Sequence, residues 1–292
     1  MEPKLNQNVS QSEKHERLGV AELGKFGEED RMPRWLEMML QLRRGHVNNN
    51  MVSAIASILA IDPTVVTAHL CHEATQHISK TAIEETFCGY RNIQMILSCL
   101  IGHSKSLSMT EVPSILDIQV LIEKAWDNGI LSESRIQTGG ILKSRKYIGT
   151  PEVCALFTSL NIRSRTHRFI SQTGKSSYAQ LVDVVQAYFS NSRQQTSIHG
   201  EKIHQTELSP IFLQRPGHSL LIIGVEKRDN GHYNLLVFDP DYRYPDNITK
   251  LLAKLRISRF SKLRDHITSC YRRSDEHFAK YSEIEILYPD PI

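Results

Sequence analysis

The sequence predicts an α+β fold, and three patterns predict it. Apolar residues recur at helical spacing in several blocks before residue 190, two strand-like runs flank an Asn-Gly turn after Pro210, and a further apolar run stands at residues 284–288. Helices early and strands late indicate segregated layers rather than a βαβ alternation. The 292 residues are 40% hydrophobic and 23% charged, a composition for one large globular domain or two small ones. A net charge of +3 with no dense Lys/Arg block makes nucleic acid an unexpected partner. No apolar run is long enough to cross a bilayer and no signal-peptide core is evident, so neither a membrane nor export is expected. The five cysteines are widely spaced and free of C-x-x-C pairs, which fits a reducing compartment, cytoplasmic or nuclear.

Residues 1–17 are polar and unpatterned, as a disordered tail is. A helical block over 18–50 follows, with Met32, Trp35, Leu36, Met39 and Leu40 as an apolar stripe that reads as core, Pro33 suited to a first turn and Gly45 as the stop. The main domain is expected over 51–292, beginning with a helix over 51–70 that is broken at Asp62-Pro63. Ile93, Ile96, Leu97, Leu100 and Ile101 set a helix over 88–102, and another over 115–128 stops at Asp127-Asn128-Gly129. Residues 130–150 are rich in glycine and hydroxyls and read as loop. Pro151 suits the first turn of a helix over 151–160. A helix over 177–190 and a polar stretch over 191–208 lead to the strands.

Cys88 falls at the first turn of its helix, where unpaired N–H groups and the positive end of the dipole favour a thiolate. Residues 219–226 and 232–239 are joined by a turn containing Asn230-Gly231, a strong hairpin signal. A two-residue loop sets Asp239 opposite Ile222, and a four-residue loop sets it opposite Leu220. In either register His218 shares the face of Asp239, and the longer loop makes the two diagonal neighbours about 7–8 Å apart. A one-residue bulge reverses that parity. The chemistry this supports is thiol proteolysis: Cys88 as nucleophile, His218 as base and then acid, Asp239 as the group orienting the imidazole. Gln214, four residues before His218, can reach a scissile carbonyl oxygen and, with the Cys88 N–H, form an oxyanion hole; Gln76 is a weaker candidate. Singly, each residue has a plainer reading: packed thiol, strand-start histidine, strand-ending Asp-Pro, surface amide. Cys71-His72 with His77 matches no zinc spacing, and no cofactor is called for.

At these residues the sequence resembles the ZUFSP/UfSP family of papain-like cysteine peptidases, in a fungal-type deubiquitinase version. The resemblance rests on Phe87-Cys88-Gly89-Tyr90-Arg91-Asn92-Ile93-Gln94-Met95, Tyr147-Ile148-Gly149-Thr150-Pro151-Glu152, Gly217-His218-Ser219 and Phe238-Asp239-Pro240. Upstream it extends to Leu23-Gly24-Lys25-Phe26 and Arg31-Met32-Pro33-Arg34-Trp35-Leu36. It implies a papain-like fold, with a helical N-terminal part packed on an antiparallel sheet. Cys88, His218 and Asp239 match the family's triad and Gln214 its oxyanion glutamine. The substrate implied is ubiquitin or polyubiquitin, cut after the C-terminal Gly-Gly at isopeptide bonds by a monomer, with the N-terminal block as a possible ubiquitin contact. The alternatives are a protease for the ubiquitin-fold modifier and an idle ubiquitin-binding module. Asp241 stands where the modifier-directed branch carries a histidine, which favours ubiquitin. The lead-in Glu84-Glu85-Thr86 departs from the family's usual glycines, and its acids are expected to resist thiolate formation.

Overall fold

The computed structural model describes residues 23–42, 45–103, 107, 109–192, 195–198, 202–243 and 267–291. The tail expected over 1–17 lies outside them. Helix α1 (Arg34–Leu42) opens the described chain, followed by strand β1 (His46–Asn48), α2 (Met51–Ile61), β2 (Val65–Leu70) and β3 (His77–Ser79). Then come α3 (Cys88–His103), α4 (Ile115–Asp127), α5 (Glu133–Thr138) and α6 (Thr150–Ser159). Strand β4 (Ser164–Ile170), α7 (Ser177–Ser190), β5 (Gln195–Ile198), β6 (Ile203–Thr206) and β7 (Ile211–Arg215) lead to β8 (His218–Arg228) and β9 (Tyr233–Phe238). The last elements are β10 (Arg272–Arg273), a one-turn α8 (Asp275–Phe278) and β11 (Glu283–Pro289).

The fold is α+β as expected, and several local readings change. Residues 65–70 form β2 rather than the second half of a helix: Asp62 ends α2, and Val65 and Val66, β-branched and alternating in burial, continue as a strand paired to β8. The loop over 130–150 contains α5, and the polar stretch over 191–208 contains the exposed edge strand β5 and, beside it, β6, whose buried positions include the polar Gln205 and Thr206, so that neither shows in a hydrophobicity pattern. The apolar stripe of α1 divides. Met32, Leu36 and Leu40 are buried, whereas Trp35 is 56% and Met38 55% exposed. Residues 23–42 share the core with the rest: Met32 N–H donates to Lys143 O at 2.7 Å, and Tyr147 N–H to Leu23 O at 3.2 Å.

Among the described residues one nine-stranded sheet forms the backdrop, in the order β4-β11-β7-β8-β2-β6-β5, with β9 on the other edge of β8 and β10 beyond it. It is antiparallel except for the β2–β6 pair, which is parallel. Residues 218–222 of β8 pair with β7 and residues 224–228 with β2. Helix α3 packs on this sheet and is buried on all sides from Cys88 to Leu100.

The β8–β9 hairpin follows neither expected loop. Arg228 N–H donates to His232 O at 2.8 Å, so the loop has three residues, Asp229-Asn230-Gly231, with Gly231 at φ 82°. Lys227 then faces Tyr233 and Glu226 faces Asn234, one residue off both expectations. A bulge at Ile223 restores the parity, so Ile222 faces Val237 and Leu221 faces Phe238. Continued one step, that register sets Asp239 against Leu220. The bulge falls where β8 exchanges one partner strand for another, and Gly224 fits there because a Cβ would lie 2.3 Å from His69 O. Gly224→Ala is therefore expected to lower stability by about 1–3 kcal/mol. Urea unfolding checks this, and an unchanged midpoint would contradict the packing.

Candidate active site

Cys88 is the first residue of α3 and Phe87 O accepts from Arg91 N–H at 3.0 Å, so the helix begins on the nucleophile candidate itself. Two features hold that start in place. Gly89 lets the helix approach the Ile148 loop, since a Cβ there would lie 2.7 Å from Ile148 Cγ1. One turn on, Arg91 is wholly buried, donating to Glu84 through Nε (2.9 Å) and Nη2 (2.7 Å) and to Gln94 Oε1 (2.7 Å). The fork pins the lead-in loop onto the helix. Breaking such a fully buried pair costs on the order of 3–5 kcal/mol, so the geometry before Cys88 is well specified.

His218 opens β8 because Pro216 and Gly217, at φ 75°, form a two-residue turn after β7, with Arg215 facing His218. Asp239 follows the last residue of β9, where Pro240 ends the ladder. The bulge-corrected register brings them together: His218 Nε2 donates to Asp239 Oδ1 at 2.9 Å. Nδ1 is left for Cys88, to which His218 is hydrogen-bonded. The three residues predicted from sequence thus meet, with Cys88 only 6% exposed.

Charges set the protonation of the group. For Cys88, burial alone raises the thiol pKa, but the His218 hydrogen bond and charge, a hydrogen bond with Ser219 and the Lys80 charge bring it below the ordinary value. Burial likewise opposes an ionised His218. Its bonds to Asp239 and Cys88 overcome this and raise the imidazole to about 10. Asp239, despite burial, is held at about 2 by His218, by Asp241 N–H at 3.0 Å and by the Arg273 charge. The ground state supported is a thiolate beside an imidazolium. The acids of the lead-in do not counter it as expected: Glu84 is neutralised by Arg91, and Glu85 is ion-paired with Lys25.

Gln214, on β7, is the cross-strand partner of Ser219 and buried. Its Nε2 donates to Arg215 O at 2.8 Å and His218 O at 3.4 Å, bracing the turn that presents His218. Gln76 donates to Asn49 Oδ1 at 3.0 Å and is not gathered with the others. Several contributors were missed. Arg273 Nη2 lies 3.2 Å from Asp239 Oδ2, and buried His77, its pKa pushed down to about 4 chiefly by burial, reaches Asp239 O at 3.3 Å. Asn92 donates to Ser219 Oγ at 3.0 Å, and Lys80 binds Asp241 Oδ1 at 2.5 Å. Only Asn92 and Ser219 carried a signal, by lying inside the blocks around Cys88 and His218.

Two histidine–carboxylate groups among the described residues have metal-like proximity. His218 is committed to Asp239 and Cys88. In the other, Glu207 Oε2 lies 3.3 Å from His72 Nε2 and 3.2 Å from His103 Nδ1. Ala74 N–H donates to His72 Nδ1 at 3.1 Å, so neutral His72 carries its proton on Nε2, toward Glu207. A metal at Nε2 would require an imidazolate, and the group is built as hydrogen bonds. Cys71 and His77 point elsewhere, to Thr75 and Asp239.

Residues 64–287 match peptidase family C78. The chain belongs to that family. This C78 chain is 34% identical over 185 residues to zinc finger-containing ubiquitin peptidase 1 of Bos taurus, across 62% of the chain and 31% of that protein. It is 34% identical over 158 residues to the Homo sapiens protein of the same name, across 52% and 27%. It is 30% identical over 205 residues to ubiquitin carboxyl-terminal hydrolase mug105 of Schizosaccharomyces pombe, across 69% of the chain and 73% of that protein. The matches span less than a third of the zinc finger-containing relatives. Among solved structures, UfSP from C. elegans superposes with a TM-score of 0.46 and 16% identity, over 88% of this chain and 37% of that one. The resemblance drawn from the motif blocks is borne out at the level of the family.

The thiolate assignment predicts that iodoacetamide labels Cys88 with a pH midpoint below the ordinary thiol value of about 8.5, and that His218→Asn raises that midpoint. Labelling followed by peptide mass spectrometry measures both. A midpoint indifferent to His218 would contradict the pair.

Proposed function

We propose that this chain is a deubiquitinating cysteine peptidase that hydrolyses isopeptide bonds after the C-terminal Gly-Gly of ubiquitin. One observation carries the reading: His218 is bonded to Asp239, with Cys88 next to it at a helix start, inside a C78 domain, which supports an ionised Cys-His-Asp chain. The Cys88 thiolate attacks the scissile carbonyl. His218 Nδ1 gives its proton to the leaving lysine amine, and then takes one from the water that hydrolyses the thioester. Asp239 keeps the imidazolium oriented throughout. The Cys88 backbone N–H and the Gln214 amide serve the oxyanion, which requires Gln214 to release its longer bond to His218 O.

Ubiquitin is chosen as substrate on two supports. The curated relatives named above carry ubiquitin in their names, including one covered over 73% of its length. In addition, Asp241 stands where the modifier-directed branch of the resemblance carries a histidine.

Ubiquitin with a thiol-reactive C-terminus should form a covalent adduct with the wild-type chain and none with Cys88→Ala, while the same probe on the ubiquitin-fold modifier should not react. Gln214→Ala should lower kcat by about 10²–10³ with the thiol midpoint unmoved. Reaction with the modifier probe alone would overturn the substrate choice. Binding of ubiquitin without any adduct would make the chain an idle module.

A further inference from the structure

Lys80 lies just past β3 and enters the account above only as a charge near Cys88, yet it touches both sides of the site. Its backbone N–H donates to Pro240 O at 2.7 Å, its ammonium donates to Glu85 O at 2.8 Å, and the same ammonium pairs with Asp241 Oδ1 at 2.5 Å. Only 9% of the side chain is exposed, against 52% for Asp241. Glu85 belongs to the loop entering Cys88, and Asp241 belongs to the box that carries Asp239. A cavity of about 350 Å³ opens between them, lined by Lys80, Glu85, Asp241 and Arg243 among others.

The other oxygen of Asp241 gives the contact its meaning. Asp241 Oδ2 stands 4.0 Å from His218 Nδ1, the nitrogen left for Cys88. A carboxylate there is a rival acceptor for the proton that Nδ1 must deliver to the leaving amine. A small rotation would bring Oδ2 into a hydrogen bond with that N–H, drawing it away from Cys88, and the added negative charge would work against the thiolate. With Oδ1 held by a buried ammonium, Asp241 is turned away and its charge is balanced. The charged groups acting on Cys88 are then His218 and Lys80, with the Tyr147 hydroxyl within reach of it, while Asp241 faces His218 Nδ1.

We propose that Lys80 is a positioning residue for the thiol chemistry: it ties the lead-in of Cys88 to the Asp239-Pro240-Asp241 box and holds Asp241 off the His218 nitrogen that faces Cys88. This rests on Cys88 and His218 acting as the nucleophile and base proposed above. A plain structural staple and this restraint differ in one respect. If Lys80 only staples, removing Asp241 as well can restore nothing. If Lys80 restrains a competitor, removing the competitor restores function.

The test compares the full chain with Lys80→Met, Asp241→Asn and Lys80→Met/Asp241→Asn, using ubiquitin with a fluorogenic C-terminal amide and the iodoacetamide pH profile of Cys88. Lys80→Met should lower kcat by about tenfold or more with KM nearly unchanged, and should raise the labelling midpoint by about one pH unit. The double variant should recover to within about threefold of Asp241→Asn, each tenfold being about 1.4 kcal/mol. Lys80→Gln, which keeps the bond to Glu85 O without the charge, takes the place of Lys80→Met should the latter not fold. A double variant no better than the Lys80 single variant, or an unmoved midpoint, overturns the proposal. A wild-type chain inert to the ubiquitin substrate whose midpoint still depends on Lys80 and Asp241 in this pattern would sink the deubiquitinase reading and leave the role of Lys80 standing.

Discussion

The hydrogen bond from His218 Nε2 to Asp239 Oδ1 joins the first residue of one strand to the residue just past the end of its neighbour, so it exists in one pairing register only. A slip of one residue turns one partner to the opposite face of the sheet. Because β8 pairs with β7 along 218–222 and with β2 along 224–228, the sheet on its other edge must tolerate an offset, and the bulge at Ile223 takes it up. The same bond fixes the imidazole so that Nδ1 points to Cys88. Without it His218 loses the largest support for holding a proton against its burial.

Around that bond the site is arranged as a balance of charges in a poorly solvated space. An imidazolium sits between a thiolate and a carboxylate, Arg273 answers the second oxygen of Asp239, and Lys80 answers Asp241. Deeper in, Arg91 and Glu84 cancel each other and lock the loop that enters α3. Each of these charges has a partner, as a low-dielectric interior requires. The cost is rigidity: the nucleophile, the base and their supports lie on α3, the sheet and two short loops cross-linked to one another. That rigidity suits a site whose reacting atoms must be held ready rather than assembled on binding.

The parts of this arrangement legible in the sequence were those written in local spacing. Helical periodicity after Cys88, the Asp127-Asn128-Gly129 stop, and strand patterning around Asn230-Gly231 gave α3, α4 and the central hairpin. The pairing of His218 with Asp239 was also legible, though by two departures that cancel: a three-residue loop in place of two or four, and a bulge that restores the parity. What was not legible depends on contacts between distant segments. Val65 and Val66 become strand because β8 is there to pair with them, and β5 and β6 form at an edge that no apolar pattern marks. Lys80, His77 and Arg273 carry no local signature of their roles, since each acts through a residue 161, 162 or 34 positions away. The acids before Cys88 mislead for the same reason, their neutralising partners being Arg91 and the distant Lys25.

The protonation of His218 is where fold and chemistry meet, and it can be observed directly. Imidazole resonances of the full chain, followed by NMR from pH 5 to 11, should show His218 protonated through neutrality and titrating near pH 10, with a downfield Nε2 proton from the bond to Asp239. In Cys88→Ala that titration should move to lower pH, because part of the stabilisation comes from the thiolate. A His218 that titrates between about 6 and 7 in both proteins, at the value of a free imidazole, would contradict the thiolate–imidazolium pair on which the account rests.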